Sequence, residues 1–144
     1  MTDVRSLIVA RPEAGVYRWR ATEPARLVRQ AVRSSGWHCY LLDGARITDT
    51  ESFLTGCAEA LGLPDRHTQD WDSLGQALTE LRPAPGYVLV YDSWMVLATA
   101  DPAGWRRAKQ LLTDAVDTWW HRDVAMYVLL RGQGPDPDLP VLPD

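Results

Sequence analysis

The sequence predicts an α/β protein built on a mainly parallel sheet of about four strands joined by crossover helices. Two observations lead there. Short strand-like runs near 16–20, 37–42, 87–91 and 124–130 alternate with longer segments whose apolar residues recur at helical spacing. The run Tyr87-Val88-Leu89-Val90-Tyr91 is also apolar at nearly every position. A strand of that kind needs cover on both faces, as parallel sheets have.

In chain order, Ser6 to Ala10 reads as either a short helix or an edge strand. Gly15 to Arg20 alternates apolar and basic residues, which predicts a strand. Thr22 is the expected N-cap of the next helix, with Pro24 near its first turn. Ala25, Leu27, Val28, Ala31 and Val32 give that helix its stripe, and Gly36 sits where a C-terminal stop belongs. Trp37 to Leu42 reads as a buried strand. Asp49 or Thr50 caps the following helix, whose buried side is Phe53, Leu54, Cys57, Ala58 and Leu61.

The stretch Leu61 to Arg82 then opens with a loop broken by Pro64 and becomes a short amphipathic helix. Trp71, Leu74, Leu78 and Leu81 line one face, at i, i+3, i+7 and i+10. Asp72, Gln76, Thr79 and Glu80 line another. Arg82 to Gly86 is a breaker before the apolar strand. Asp92 to Ala100 has no firm pattern beyond a short helical turn. A long helix starts at Asp101-Pro102, with Trp105, Ala108, Leu111, Leu112, Ala115, Val116, Trp119 and Trp120 at helical spacing. Val124 to Leu130 is a last buried strand. Residues 132–144, rich in Pro and Asp, read as a loose tail.

The chain has 144 residues, 46% of them hydrophobic and 24% charged, as expected of one soluble globular domain with its own core. No apolar run approaches the ~18 residues of a membrane span, and the first residues are too weakly apolar for a secretory signal. Cys39 and Cys57 are too few for a disulfide framework and read as buried thiols of a cytoplasmic protein. Charge divides unevenly: residues 1–42 carry a net +4 and residues 43–144 a net −8. An acidic portion of this size repels nucleic acid and membranes of like charge and attracts basic partners. Fourteen of the fifteen basic residues are Arg, a composition that fits a bacterial GC-rich genome.

Catalytic and metal motifs are absent. Gly132-Gln133-Gly134-Pro135 lacks the following helix that a phosphate loop requires. His38, His67 and His121 show no ligand spacing with each other or with the cysteines, so no metal or other cofactor is expected. No serine sits in a nucleophile motif. His67 and Asp72 lie close enough in sequence to meet, but a polar loop histidine beside an acid is more often solvated than catalytic. Asp70 and Asp72, in the first turn of their helix, complement the positive end of its dipole, which alone accounts for carboxylates there.

The residues Leu63-Pro64, the polar loop Asp65 to Gln69 and then Asp70-Trp71-Asp72-Ser73-Leu74 resemble the barstar family, intracellular inhibitors of barnase-type ribonucleases. The resemblance runs over about residues 37 to 131, in the order strand, helix, loop-helix, strand, long helix, strand. It implies a barstar-like core at 37–131, with residues 1–36 an added βα extension and 132–144 the tail. It also implies a non-enzymatic, cytoplasmic protein, monomeric when free, that binds the cationic site of a secreted ribonuclease. The alternative is a barstar-fold binding or regulatory module for another basic protein.

By resemblance, Asp72 matches the family's first partner-binding aspartate, and Asp117 its outlying acidic contact. Asp70, Gln76, Thr79, Glu80, Arg66 and His67 complete the expected partner-binding set. Four positions depart from the family pattern. Asp70 replaces Asn, Thr68 stands where Gly is usual, Gln76 stands where the second acid would be, and Gly75 replaces a bulkier residue. Arg66 adds a positive charge to the binding loop.

Overall fold

The structure, a computed structural model, describes residues 4–63, 70–134, 136 and 139–142. Four strands form one sheet: β1 (Gly15–Arg18), β2 (His38–Asp43), β3 (Gly86–Asp92) and β4 (Ala125–Arg131). Their order is β1-β4-β3-β2, and every pairing is parallel. The helices are α1 (Val4–Ala10), α2 (Ala25–Ser34), α3 (Thr50–Leu61), α4 (Trp71–Leu78), α5 (Met95–Ala100) and α6 (Pro102–Trp120). The α/β class, the parallel sheet and all four strand positions match the expectation, with boundaries moved by a residue or two.

The alternation of side chains along β3 and β4 separates two cores. Val88, Val90, Tyr127 and Leu129 pack with Val4 and Leu7 of α1 and with Val28, Ala31 and Val32 of α2. Leu89, Tyr91, Val128 and Leu130 face the opposite way, onto residues of α3, α4, α5 and α6. The sheet is therefore a middle layer between two helical ones. Gly86 begins β3 beneath the Trp37 ring. A Cβ there would stand 2.5 Å from a ring carbon, so the close approach requires glycine. Trp37 in turn stacks on Tyr127 at 6.1 Å.

Helix ends follow their chemistry. Asp49 caps α3, accepting from the Ser52 N–H at 2.8 Å, while the Ser52 hydroxyl oxygen accepts from the Asp49 N–H at 3.2 Å in a reciprocal capping box. Gly36 ends α2 at φ +83°, a conformation that favours glycine. Asp101 caps α6 through the Gly104 N–H, with Pro102 at the first helical position.

Several sequence readings need correction. Pro24, not Thr22, occupies the N-cap position of α2, with no side-chain cap. Leu27 is 44% exposed, because the face of α2 that meets the sheet runs through Val28, Ala31 and Val32 and Leu27 lies a hundred degrees round from Val28. Trp120 is 55% exposed for the same reason; Trp105, Leu112 and Trp119 form the buried stripe of α6. Trp19 falls just beyond β1, yet is buried and donates its N–H to the Leu130 carbonyl.

The described residues of the C-terminal segment are not loose. Arg18 N–H donates to the Pro140 carbonyl and Leu142 N–H to the Arg18 carbonyl, each at 2.8 Å. This pairing uses the free edge of β1, whose backbone groups would otherwise lack partners. Leu139 and Leu142 are buried, and Asp136 pairs with Lys109 at 2.6 Å.

Val88, Val90 and Leu129 are each at most 1% exposed beneath α1 and α2. Uncovering three such side chains costs on the order of 5–9 kcal/mol, against a total stability of about 5–15 kcal/mol. Deleting residues 1–36 is therefore expected to abolish cooperative thermal unfolding as followed by circular dichroism. A truncated chain that melts cooperatively near the full-length temperature overturns this.

Candidate functional site

The polar face of α4 is set by its two ends and its buried stripe. At the N-terminus, Asp70 is the cap, its carboxylate accepting from the Ser73 N–H at 2.7 Å. Leu74 and Leu78 are fully buried and Ala77 nearly so, which fixes the rotation of the helix. Trp71 is half-buried. Its ring lies 5.5 Å from that of Phe53, and the Arg107 guanidinium sits 5.5 Å from its centroid. At the C-terminal end, Trp119 Nε1 donates to the Leu78 carbonyl at 2.8 Å and Arg122 donates to the Thr79 carbonyl at 2.6 Å. Both bonds satisfy carbonyls that a helix end leaves open.

With that rotation, Asp72, Gln76 and Glu80 are exposed on one side, one turn apart. Gln76 Nε2 donates to Glu80 at 3.1 Å, and the Thr79 hydroxyl donates to the Gln76 carbonyl at 2.7 Å. Between α4 and α6 runs a cleft of about 360 Å³, walled by Asp72, Gly75 and Gln76 on one side and by Arg107, Leu111 and Asp114 on the other. Gly75 lies in the cleft wall, where a Cβ would make only an ordinary contact with Leu111, at 3.7 Å.

The expected residues separate into three groups. Asp72, Gln76 and Thr79 come together at the cleft, with Glu80 held to Gln76. Asp70 is engaged in capping. Asp117 is exposed on α6 but does not line the cleft. Arg66 and His67 lie outside the described residues. The carboxylate that α6 does contribute is Asp114, held by Gln110 Nε2 at 2.8 Å. Sequence reading passed over it in favour of Asp117. The usable signal was its spacing from Arg107 and Leu111, seven and three residues earlier, on the stripe next to the buried one. Arg107 lines the cleft beside Asp72 and Asp114, so the face is mixed in sign.

Elsewhere the chemistry is quiet. Burial pushes the Cys39 thiol up to about 12 and raises Cys57 further, which disfavours the thiolate in both. Among the described residues, no group of three or more His, Cys, Asp or Glu is arranged to hold a metal ion. Among them too, no helix is long and apolar enough to cross a membrane.

Compared with known protein families, residues 37–131 match the family described as Barstar (barnase inhibitor). A search of curated proteins matched none.

The Asp70 cap makes a pH prediction. Hydrogen bonds from the backbone and side chain of Ser73 hold its carboxyl below the ordinary value of 3.8. Because the folded value is the lower one, the cap stabilises fully above that ordinary value and fades as pH falls through the lowered one. Asp70→Asn keeps a capping oxygen without the charge and is expected to remove this part of the acid sensitivity. Side-chain carboxyl NMR and acid melting curves of both proteins are the measurements; an Asp70 carboxyl titrating at or above 3.8 overturns the assignment.

Proposed function

The chain belongs to the barstar family, and from that premise we propose that it is an inhibitor-like binding protein, not an enzyme, acting on the cationic active site of a secreted guanyl-specific ribonuclease. The observation that carries the proposal is Asp72. It is exposed in the first turn of α4, at the position that matches the family's partner-binding aspartate, and it opens onto a cleft sized for a side chain. A ribonuclease holds an RNA phosphate with cationic side chains. A helix-borne carboxylate takes the same place, and opposite fields speed the encounter. A cell that exports such an enzyme needs the inhibitor in its cytoplasm.

Gln76 leaves the surface one acid short of the family pattern. We assign the second charge to Asp114, which faces Asp72 and Gln76 across the cleft from α6. A long cationic side chain from the partner fits between them.

The mixed charge favours a second reading. Gln76 is bonded to Glu80, and Arg107 stands over Trp71 at the mouth of the cleft. A barstar-fold module for another basic protein tolerates both features better than an inhibitor does. Capture of a basic protein that does not cleave RNA decides for it.

Three variants test the inhibitor reading against a barnase-type ribonuclease, with thermal stability checked for each. Asp72→Ala is expected to weaken inhibition by about 2–5 kcal/mol, chiefly by leaving a partner cation unpaired. Gln76→Asp strengthens it by restoring the second acid of the family. Asp114→Asn weakens it, and the loss shrinks when Gln76→Asp is also present, because the two carboxylates serve one cation. Unchanged inhibition in Asp72→Ala removes α4 as the binding face. Additive effects of the other two overturn the role given to Asp114.

A further inference from the structure

The basic N-terminal portion of the chain plays no part in the α4–α6 face. Two of its seven arginines, Arg18 and Arg20, lie at the carboxyl end of the sheet. There β1 and β4 are adjacent and parallel, and beyond Arg18 and Arg131 their chains part to opposite faces. Residues 19–23 lead to α2, and Arg131 donates to the Glu23 carbonyl along that path. Residues 132–134 turn toward α5, where Trp94 Nε1 donates to the Gly132 carbonyl at 3.1 Å. The parting leaves a crevice of about 530 Å³, lined by Arg18, Arg20, Thr22, Arg131 and Gln133 among others. Open parallel sheets take ligands in such crevices, where neighbouring connections leave to opposite sides. The volume is within the small-molecule range.

The charges in the crevice are not equivalent. Arg131 is committed: it grips both Asp92 carboxylate oxygens and the backbone carbonyls of Ala21 and Glu23. Arg18 has its Nε buried with no hydrogen-bond partner, a costly position for a charged donor. Arg20 is exposed beside it. No carboxylate lines the crevice among the described residues. Two guanidiniums, a hydroxyl and an amide offer more donors than one carboxylate accepts, and two free positive charges match a dianion.

We propose that this crevice binds a small phosphate-bearing anion, gripped by Arg18 and Arg20 with Thr22 and Gln133 donating. The grip is made by side chains. Gly132-Gln133-Gly134 is not a phosphate loop, since no helix follows it among the described residues. The site shares no residue with the α4–α6 cleft, so it stands or falls independently of ribonuclease binding.

The full-length chain is titrated with inorganic phosphate, pyrophosphate and adenosine monophosphate at matched ionic strength, with chloride and acetate as controls. Calorimetry and amide NMR are the readouts. Saturable binding by a phosphate-bearing probe is expected, with shifts at residues 18–22 and 131–134. The relative affinities of the three probes tell a free phosphate from a nucleotide. Arg20→Gln alters an exposed residue and is expected to melt like the wild type while losing about tenfold in affinity. Arg18→Gln loses at least as much, and Arg18→Lys restores part by returning the charge without the fork. No saturable binding, shifts confined to other residues, unchanged affinity in Arg20→Gln, or an equal response to acetate overturns the proposal.

Discussion

Everything in this fold depends on β3 having no face open to water. From Gly86 to Tyr91 every residue is buried, with Val88 and Val90 on one side and Tyr87, Leu89 and Tyr91 on the other. A strand that apolar must lie inside a sheet, and the sheet must be covered twice. Parallel pairing supplies the second requirement, because each crossover carries a helix onto a face. The βα segment at the N-terminus is thus part of the core's construction: α1 and α2 cover one face, and β1 covers the flank of β4.

The second cover positions the polar face of α4. α4 has eight residues, too few to persist alone in water. It is held by Leu74 and Leu78 in the core and by Trp119 and Arg122, which bond the carbonyls at its C-terminal end. α6 is therefore both scaffold and wall. Its Trp105, Leu112 and Trp119 stripe packs inward, while Arg107, Leu111 and Asp114 on the adjoining stripe complete the cleft. The C-terminal end of α4 is thus held by Trp119 of another helix.

The uneven charge of the chain becomes spatial in the fold. Arg18 and Arg20 meet Arg131 at the carboxyl end of the sheet, while Asp72, Glu80 and Asp114 stand on or beside the α4–α6 cleft. The cleft remains mixed in sign, since Arg107 of α6 lines it beside Asp72 and Asp114, whereas the crevice has no carboxylate in its lining among the described residues. The Arg131–Asp92 pair serves to clamp β4 to β3 and to the chain leading into α2.

Much of this was written in local pattern. The apolar run of β3, the seven-residue repeat of Trp105, Leu112 and Trp119, the Asp49 cap and the Gly36 stop are legible because each depends on the period of one element or the chemistry of one helix end. The same holds for Asp72 on the polar side of α4, once Leu74 and Leu78 are taken as buried. What the sequence could not settle lies between elements. Leu27 and Trp120 read as core because they are apolar and near a stripe; which stripe faces inward is decided by the partner surface. Residues 139–142 read as loose because Pro and Asp make poor elements, yet the unpaired edge of β1 and Lys109 tie their neighbourhood down. Asp114 rather than Asp117 lines the cleft because the crossing of α6 over α4 selects one stripe. Sequence periodicity determines which residues share a face. Only packing against distant elements, which no local spacing encodes, decides what that face meets.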